Sequence, residues 1–181
     1  MKRAIDFTVG LIGLITLALL APVIAFLIKL DSKGPALFSQ VRVGKDERPF
    51  RCYKFRTMSV DAPERPTHEV SSVHVTRIGH WLRISKLDEL PQLINVLRGE
   101  LSLVGPRPCL PSQVELIKRR RELGVSKVLP GITGLAQVRG FDMSDPHRLS
   151  RTDAEYIERQ STALDLQIMY ATIFRRAAKR L

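Results

Sequence analysis

Two adjacent acids precede a short amphipathic segment, and this position suits chemistry on phosphates. Asp88 and Glu89 come just before Pro91, and the apolar residues around that proline recur at helical spacing: Leu90, Leu93, Ile94 and Leu97. A proline is tolerated in the first turn of a helix, so the sequence predicts a helix with both acids at or near its N-cap. There the helix dipole favours ionised carboxylates, and free N–H groups favour a phosphate or a metal-bound anion. An ordinary capping role fits the same pattern, so position alone leaves both interpretations open.

A second chemical feature is an arginine held between two prolines. Arg107 lies between Pro106 and Pro108, which keep the backbone extended and stiff. A guanidinium presented in this way suits a phosphate, which it can bind through two parallel hydrogen bonds. A structural salt bridge would use the same geometry.

With these residues in place, the chain resembles the monotopic phosphoglycosyl transferases, bacterial sugar transferases that move a phosphosugar from a nucleotide sugar to polyprenyl phosphate. Five blocks in the family's order carry the resemblance, and they span nearly the whole chain. They are residues 2–6 (KRAID), 34–44 (GPALFSQVRVG), 53–58 (YKFRTM), 87–108, and 130–138 (PGITGLAQV). One block alone is a weak signal, whereas five in order are specific.

The resemblance implies a two-step reaction at the acidic pair. Asp88 would attack the sugar-bearing phosphorus of a UDP-sugar, expel UMP and carry a phosphosugar ester, which undecaprenyl (polyprenyl) phosphate then resolves. Asp88 would also bind Mg²⁺, a hard cation that neutralises a diphosphate well. Glu89 is implied as a partner in proton transfer or metal binding. The reaction would be the first membrane step of a glycoconjugate pathway, making an exopolysaccharide, O-antigen, capsule or glycoprotein.

The matched blocks also suggest residues that bind substrate or phosphate. Arg83 stands five residues before Asp88, as in relatives, and is expected to form a phosphate clamp with Arg107. The other candidates are Lys54, Arg56, Thr133, Gln137 and Arg139.

Some of these candidates have plainer interpretations. Lys54 and Arg56 would equally suit lipid headgroups. Gly131 and Gly134 are expected to permit a tight backbone turn beside the nucleotide candidates Thr133 and Gln137. Many relatives have asparagine, glycine and arginine in that order after this turn, whereas here Arg139 comes before the glycine. A phosphate contact by Arg139 would therefore depart from the family's pattern.

Composition indicates a small protein with an anionic partner. The 181 residues suffice for one domain, and 29 Lys and Arg against 18 Asp and Glu give a net charge of +11. Nucleic acid, a phosphorylated substrate and an anionic lipid surface all fit this charge. Cys52 and Cys109 are expected to be structural, in a reducing compartment. The four histidines show no paired spacing, so a zinc site is not expected.

An apolar segment near the N-terminus predicts membrane association. No residue from Phe7 to Ile28 is charged, and a helix of that length would be about 33 Å long, close to the thickness of a bilayer's hydrocarbon core. A cleavable signal is not expected, because the segment lacks a small-x-small pattern and has Pro22 where cleavage would occur.

Two features favour a re-entrant helical hairpin over a single spanning helix, which remains the alternative. Lys2 and Arg3 flank one end and the basic body flanks the other, so both ends are drawn toward the cytoplasm. Pro22 leaves the carbonyl of Ala18 without its usual partner and favours a bend, with Thr16 as the nearest upstream hydroxyl to compensate. The resemblance implies the same topology. It predicts a membrane anchor in residues 1–30 and a catalytic domain in residues 31–181, on the cytoplasmic face of the bacterial inner membrane.

The rest of the chain is predicted to form a compact α/β catalytic domain with surface amphipathic helices. Alternating apolar residues predict extended segments around residues 37–43 and 50–55, followed by a surface loop over residues 60–75. A capping box at residues 112–115 predicts a helix that ends near Gly124. A last helix is predicted over residues 149–178, with a possible break near residues 161–163. This helix would lie on the membrane surface or pack against the core.

A membrane-anchored basic protein that binds nucleic acid or anionic lipid is the alternative function. It accounts for the charge and the anchor, but not for the acidic pair or the Pro-Arg-Pro turn. Aromatic residues make up 6% of the chain and do not interleave with basic ones, so nucleic acid is not expected as a partner.

Overall fold

The computed structural model describes residues 1–61 and 74–174 of a mixed helix and sheet protein. Helix α1 (Lys2–Asp31) runs without interruption through Pro22. Within the described residues it is the one helix long and apolar enough to cross a membrane, by length and composition. The predicted apolar helix is confirmed as a candidate membrane span, whereas the hairpin is not shown. The hydroxyl of Thr16 donates to the carbonyl of Ile12 at 3.1 Å, so the prediction that it compensates for the proline is wrong.

The predicted extended segments form an antiparallel hairpin. Strand β1 (Leu37–Val43) pairs with β2 (Pro49–Phe55), with Leu37 opposite Phe55. The alternation of apolar residues predicted both strands, since one face of the hairpin covers the core. Phe50 and Cys52 are buried on that side, whereas Phe55 is buried on the opposite face, against α1 and Leu82.

The acidic pair lies in a 3-10 helix, Leu87–Gln92, between α2 (Arg77–Ser85) and α3 (Leu93–Arg98). Lys86 has φ 61° and is both the C-cap of α2 and the N-cap of the 3-10 helix. The prediction that the acids cap an α-helix is therefore wrong. The proline is accommodated inside the tighter 3-10 turn, and the α-helix begins only after it.

A short parallel pair of strands supports the Pro-Arg-Pro loop. Strand β3 (Ser102–Val104) pairs with β4 (Gly131–Thr133), which leads into α5 (Leu135–Val138). A Cβ atom on Gly131 would lie 2.1 Å from the amide nitrogen of Gly105, and one on Gly134 would lie 2.2 Å from the carbonyl oxygen of Gly105. Both glycines thus allow close backbone contact with the loop, and neither adopts a positive φ.

Helices α4 (Val114–Glu122), α6 (Pro146–Arg159) and α7 (Thr162–Ile173) complete the described body. The helix predicted before Gly124 is confirmed, but its N-cap is Gln113, without a side-chain cap, so the predicted capping box is wrong. The predicted break in the last helix is confirmed, and Ser161 caps α7. Residues 175–178 of that prediction, and residues 62–73 of the predicted loop, lie outside the described residues.

The main core joins the hairpin, α3, the parallel strands, α6 and α7. Its buried residues are Phe50, Cys52, Leu93, Val96, Leu101, Leu103, Val104, Leu135, Tyr156, Leu164 and Ile168. Because Leu164 and Ile168 belong to α7, one side of that helix packs against the core, while Tyr170 and Ile173 are exposed.

Candidate active site

Glu89 lies at the centre of a cluster of charged side chains. Its Oε1 accepts hydrogen bonds from Nζ of Lys54 at 2.7 Å and from Nη2 of Arg107 at 2.8 Å. Burial alone would raise the pKa of Glu89, but Arg107 and Lys54 outweigh it and hold the pKa well below its usual range. Glu89 is therefore ionised. Its ion pairs link the 3-10 helix to β2 through Lys54 and to the loop after β3 through Arg107.

The backbone of Arg107 is fixed from several sides. Its carbonyl accepts a hydrogen bond from Nη1 of Arg120 at 2.9 Å, and Arg120 is itself buried in an ion pair with Asp153. The two preceding residues are also held by β4. The amide of Gly105 donates to the carbonyl of Thr133, and the carbonyl of Pro106 accepts from the amide of Gly131. Arg107 thus forms the salt bridge that the sequence left open, and its guanidinium stays within the charged cluster.

Asp88 is buried beside this cluster without a hydrogen-bond donor of its own. It is 8% exposed, and no group within residues 1–61 and 74–174 donates a hydrogen bond to its carboxylate. Burial raises the pKa of Asp88, and the charge of Glu89 raises it further. A buried carboxylate in this condition has its lone pairs available for a ligand.

Arg83 approaches Asp88 from α2. Its Nε donates to Oγ1 of Thr57 at 2.9 Å, which orients the guanidinium. The charge of Arg83 opposes the rise in the pKa of Asp88, as does that of Lys54. The structure therefore gathers five of the predicted site residues: Lys54, Arg83, Asp88, Glu89 and Arg107. Arg56 lies next to Thr57 and binds the backbone and hydroxyl of Ser32.

A comparison with known proteins identifies the family of the chain. A family model described as bacterial sugar transferase matches residues 1–179. The chain belongs to the bacterial sugar transferase family.

Three relatives of known name are about two fifths identical to the chain over the aligned residues. A protein of Komagataeibacter xylinus named undecaprenyl-phosphate glucose phosphotransferase is 43% identical over 99% of this chain and 36% of its own length. A UDP-glucose:undecaprenyl-phosphate glucose-1-phosphate transferase of Caulobacter vibrioides is 41% identical over 95% of this chain and 68% of its own. An Aeromonas hydrophila protein named UDP-N-acetylgalactosamine-undecaprenyl-phosphate N-acetylgalactosaminephosphotransferase is 38% identical over 95% of this chain and 42% of its own length. The chain thus spans less than half the length of two of these three relatives.

Three further candidate binding residues of this bacterial sugar transferase form hydrogen bonds outside the charged cluster. The hydroxyl of Thr133 shares a 2.6 Å hydrogen bond with Thr172 of α7, and Nε2 of Gln137 donates to the carbonyl of Ile132 at 3.1 Å. Nη2 of Arg139 donates to Glu155 of α6 at 2.9 Å. Roles for these residues in binding nucleotide or phosphate remain predictions.

Sequence reasoning missed Asn95, a fully buried residue of α3. Its Nδ2 donates to the carbonyl of Arg51 at 2.7 Å and its Oδ1 accepts from the amide of Tyr53 at 3.3 Å. Asn95 thereby fixes β2, the strand that carries Lys54. An asparagine between the apolar residues Ile94 and Val96 of a short helix is the signal that would have identified it, since a buried amide calls for specific hydrogen bonds.

The acidic pair has the donor atoms that Mg²⁺ prefers. No group of three or more His, Cys, Asp or Glu side chains that could hold a metal ion occurs in the described parts of the chain. However, Mg²⁺ commonly takes only one or two carboxylates and completes its shell with water and substrate phosphates. The Asp88 carboxylate accepts no hydrogen bond from the described residues, and neither does Oε2 of Glu89. These atoms fit an ion that is shared with a bound diphosphate.

Proposed function

We propose that this chain transfers a sugar-1-phosphate from a UDP-sugar to undecaprenyl (polyprenyl) phosphate, releasing UMP through a covalent phosphosugar on Asp88. The observation that carries the proposal is the buried carboxylate of Asp88, which lacks a hydrogen-bond donor but lies beside the cations of Arg83, Lys54 and Arg107. A nucleophile needs free lone pairs, and a diphosphate substrate needs cations.

In the first step, an Oδ atom of Asp88 attacks the phosphorus that bears the sugar. A P–O bond forms as the P–O bond to UMP breaks, and its electron pair leaves with UMP. The guanidinium groups of Arg83 and Arg107 balance the charge on the phosphate oxygens. The resemblance implies proton transfer or metal binding for Glu89, but its low pKa favours a role in holding Lys54 and Arg107 in place.

In the second step, a phosphate oxygen of the lipid attacks the same phosphorus. The bond to Asp88 breaks, which restores the carboxylate and releases a polyprenyl diphosphate sugar. Mg²⁺, held by Asp88 and by Oε2 of Glu89, would supply charge neutralisation of the diphosphate.

We also propose that α1 enters and leaves the membrane from one face, as a re-entrant helix that bends at Pro22. Its two ends contact the same body. Near the first turn, Asp6 accepts hydrogen bonds from the hydroxyl of Ser102 at 2.8 Å and from the amide of Leu103 at 3.0 Å. At the other end, Asp31 accepts from the amide of Ile78 at 2.8 Å.

Contacts at both ends are difficult to combine with a spanning helix, whose ends would lie on opposite sides of the bilayer. The apolar side chains that α1 exposes are then left for lipid, among them Ile12, Ile15, Leu19, Val23 and Phe26. The basic charge of the body supports a position on the cytoplasmic face of the bacterial inner membrane.

The reaction is tested by incubating the purified protein in detergent or nanodiscs with Mg²⁺, undecaprenyl phosphate and a panel of UDP-sugars. The panel includes UDP-glucose and UDP-N-acetylgalactosamine, because relatives are named for both sugars. We expect UMP and a lipid-linked phosphosugar from at least one donor, and neither with the Asp88→Asn variant. Salt-sensitive binding to any polyanion without UMP release would instead favour the basic binding protein.

A further inference from the structure

Arg56 is a buried cation without a complete set of partners. It is 7% exposed, and its Nη2 donates to the carbonyl oxygen of Ser32 at 2.8 Å and to the hydroxyl at 2.9 Å. Its Nε and Nη1 are buried with no hydrogen-bond partner among the described residues. Within the same residues, no carboxylate forms an ion pair with it.

A charge in this condition is costly, because burial removes water that nothing in the protein replaces. Nε and Nη1 lie on different edges of the guanidinium, so each has an N–H group left for a separate acceptor, and hydrogen bonds from a guanidinium to an oxyanion are the strong, charge-assisted kind. The two unsatisfied nitrogens of Arg56 therefore call for an oxyanion supplied by a ligand.

The position of Arg56 indicates which ligand supplies that anion. Ser32 directly follows α1, whose Leu30 is 68% exposed and apolar, so Arg56 lies where the hydrocarbon-facing part of the helix ends. A phosphate attached to a lipid is held at this depth, just outside the hydrocarbon. A soluble nucleotide sugar has no such constraint.

Arg56 is also connected to the candidate active site. The amide of Arg56 donates to Ala36 at 2.8 Å, which continues the hairpin ladder by one residue, so Arg56 follows Lys54 on the same face of the strand. Thr57, the next residue, accepts a hydrogen bond from Arg83, and the charge of Arg83 in turn opposes the rise in the pKa of Asp88. Arg56 thus stands between the end of the membrane helix and the acidic pair.

We propose that Arg56 binds the phosphate monoester of the acceptor lipid, polyprenyl phosphate, and directs it from the membrane toward Asp88. This inference rests on the proposed function. Under this proposal, Lys54, Arg83 and Arg107 bind the donor substrate, the UDP-sugar, and Arg56 binds the acceptor substrate, polyprenyl phosphate. The two steps of the reaction therefore depend on different cations.

The test separates the two half-reactions with Arg56→Gln in nanodiscs of neutral lipid. Protein, Mg²⁺ and the active UDP-sugar are mixed first, UMP release is measured, and undecaprenyl phosphate is then added. We expect the variant to release UMP within about twofold of wild type, and to transfer the phosphosugar to limiting lipid about tenfold more slowly, since a charge-assisted contact is lost. The KM for undecaprenyl phosphate should rise by a similar factor.

Arg51→Gln is the matched control, because Arg51 lies on the same strand and is exposed. It should leave both half-reactions unchanged. Arg56→Lys keeps the charge and should recover part of the transfer rate. A readout independent of turnover is the Tm, which undecaprenyl phosphate should raise in wild type and not in Arg56→Gln.

Several outcomes would overturn the assignment. Equal slowing of UMP release would mean that Arg56 serves the donor, and unchanged transfer would mean that it serves neither. If phosphatidylglycerol nanodiscs raise the Tm of wild type alone, and undecaprenyl phosphate does not, Arg56 binds bulk phospholipid. Absence of UMP release from wild type with every donor would refute the proposed function, while the Tm comparison would still decide the lipid contact.

Discussion

Arg120 donates a hydrogen bond to the backbone carbonyl of Arg107 at 2.9 Å, so a buried side chain of α4 fixes an arginine of the candidate active site. Arg120 can do this because Asp153 of α6 holds its guanidinium through Nε at 3.0 Å and Nη2 at 2.7 Å. The position of Arg107, and with it that of Glu89, therefore depends on two residues outside the charged cluster.

Replacing Arg120 with methionine should weaken both the fold and the site. The change leaves Asp153 buried without its partner, which typically costs about 3–5 kcal/mol of unfolding free energy. The double variant Arg120→Met, Asp153→Leu removes the unpaired charge and should recover much of that stability without recovering kcat. Denaturant unfolding and steady-state UMP release measure the two effects. Full activity in the stable double variant would show that the carbonyl contact does not position Arg107.

Asp88→Asn should abolish turnover while stabilising the protein at neutral pH. Because the pKa of Asp88 is raised in the folded state, its ionised form opposes folding above that pKa. The gain in Tm should therefore be largest at neutral pH and should disappear below about pH 3.9, the ordinary pKa of aspartate. The rate should fall by roughly 10⁴-fold or more. Thermal unfolding across this pH range measures the first effect, and a Tm at pH 7 below that of wild type would contradict it.

Glu89→Gln should act in the opposite direction on stability. The pKa of Glu89 is held below its usual range, so its contribution is complete above about pH 4.3, the ordinary pKa of glutamate, and is lost as the pH falls through the folded value. Removing the charge leaves Lys54 and Arg107 without their shared partner, at a cost of about 3 kcal/mol. Urea denaturation at pH 7 should show a lower free energy of unfolding than wild type for Glu89→Gln and a higher one for Asp88→Asn. Equal stability of the two variants would contradict the different environments of the two acids.

The topology of α1 can be tested by cysteine labelling. In separate variants, one cysteine is inserted directly after Met1 and another replaces Lys33, which is exposed. If α1 leaves the membrane from the face it enters, an impermeant maleimide should label both from the cytoplasmic side of inverted vesicles. The natural Cys52 and Cys109 are buried, and the parent protein measures their background. Labelling on opposite sides would establish a spanning helix.

The residues that sequence reasoning identified are those whose local pattern is unusual. Paired acids next to a proline and an arginine between two prolines stand out in any chain, and alternating apolar residues predicted the β1–β2 hairpin. The helix cap was predicted wrongly because a 3-10 helix and an α-helix accept the same proline.

The supporting residues could not be found in this way, because their roles exist only in three dimensions. Asn95 binds residues 42 and 44 positions away along the chain, and Arg120 binds Asp153 33 positions away. Lys54 and Glu89 are 35 positions apart, so their ion pair could not be predicted from the sequence either. What the sequence predicted were the groups that carry charge, whereas the packing that places them required the fold.

The measurement that tests the central claim most directly is the mass of the protein after incubation with its UDP-sugar and Mg²⁺ in the absence of polyprenyl phosphate. The account predicts up to about one equivalent of UMP, one phosphosugar added to the peptide that contains Asp88, and loss of that mass when polyprenyl phosphate is supplied. UMP release that depends strictly on the lipid, with no adduct on rapidly quenched protein, would contradict it and establish direct transfer between the two substrates.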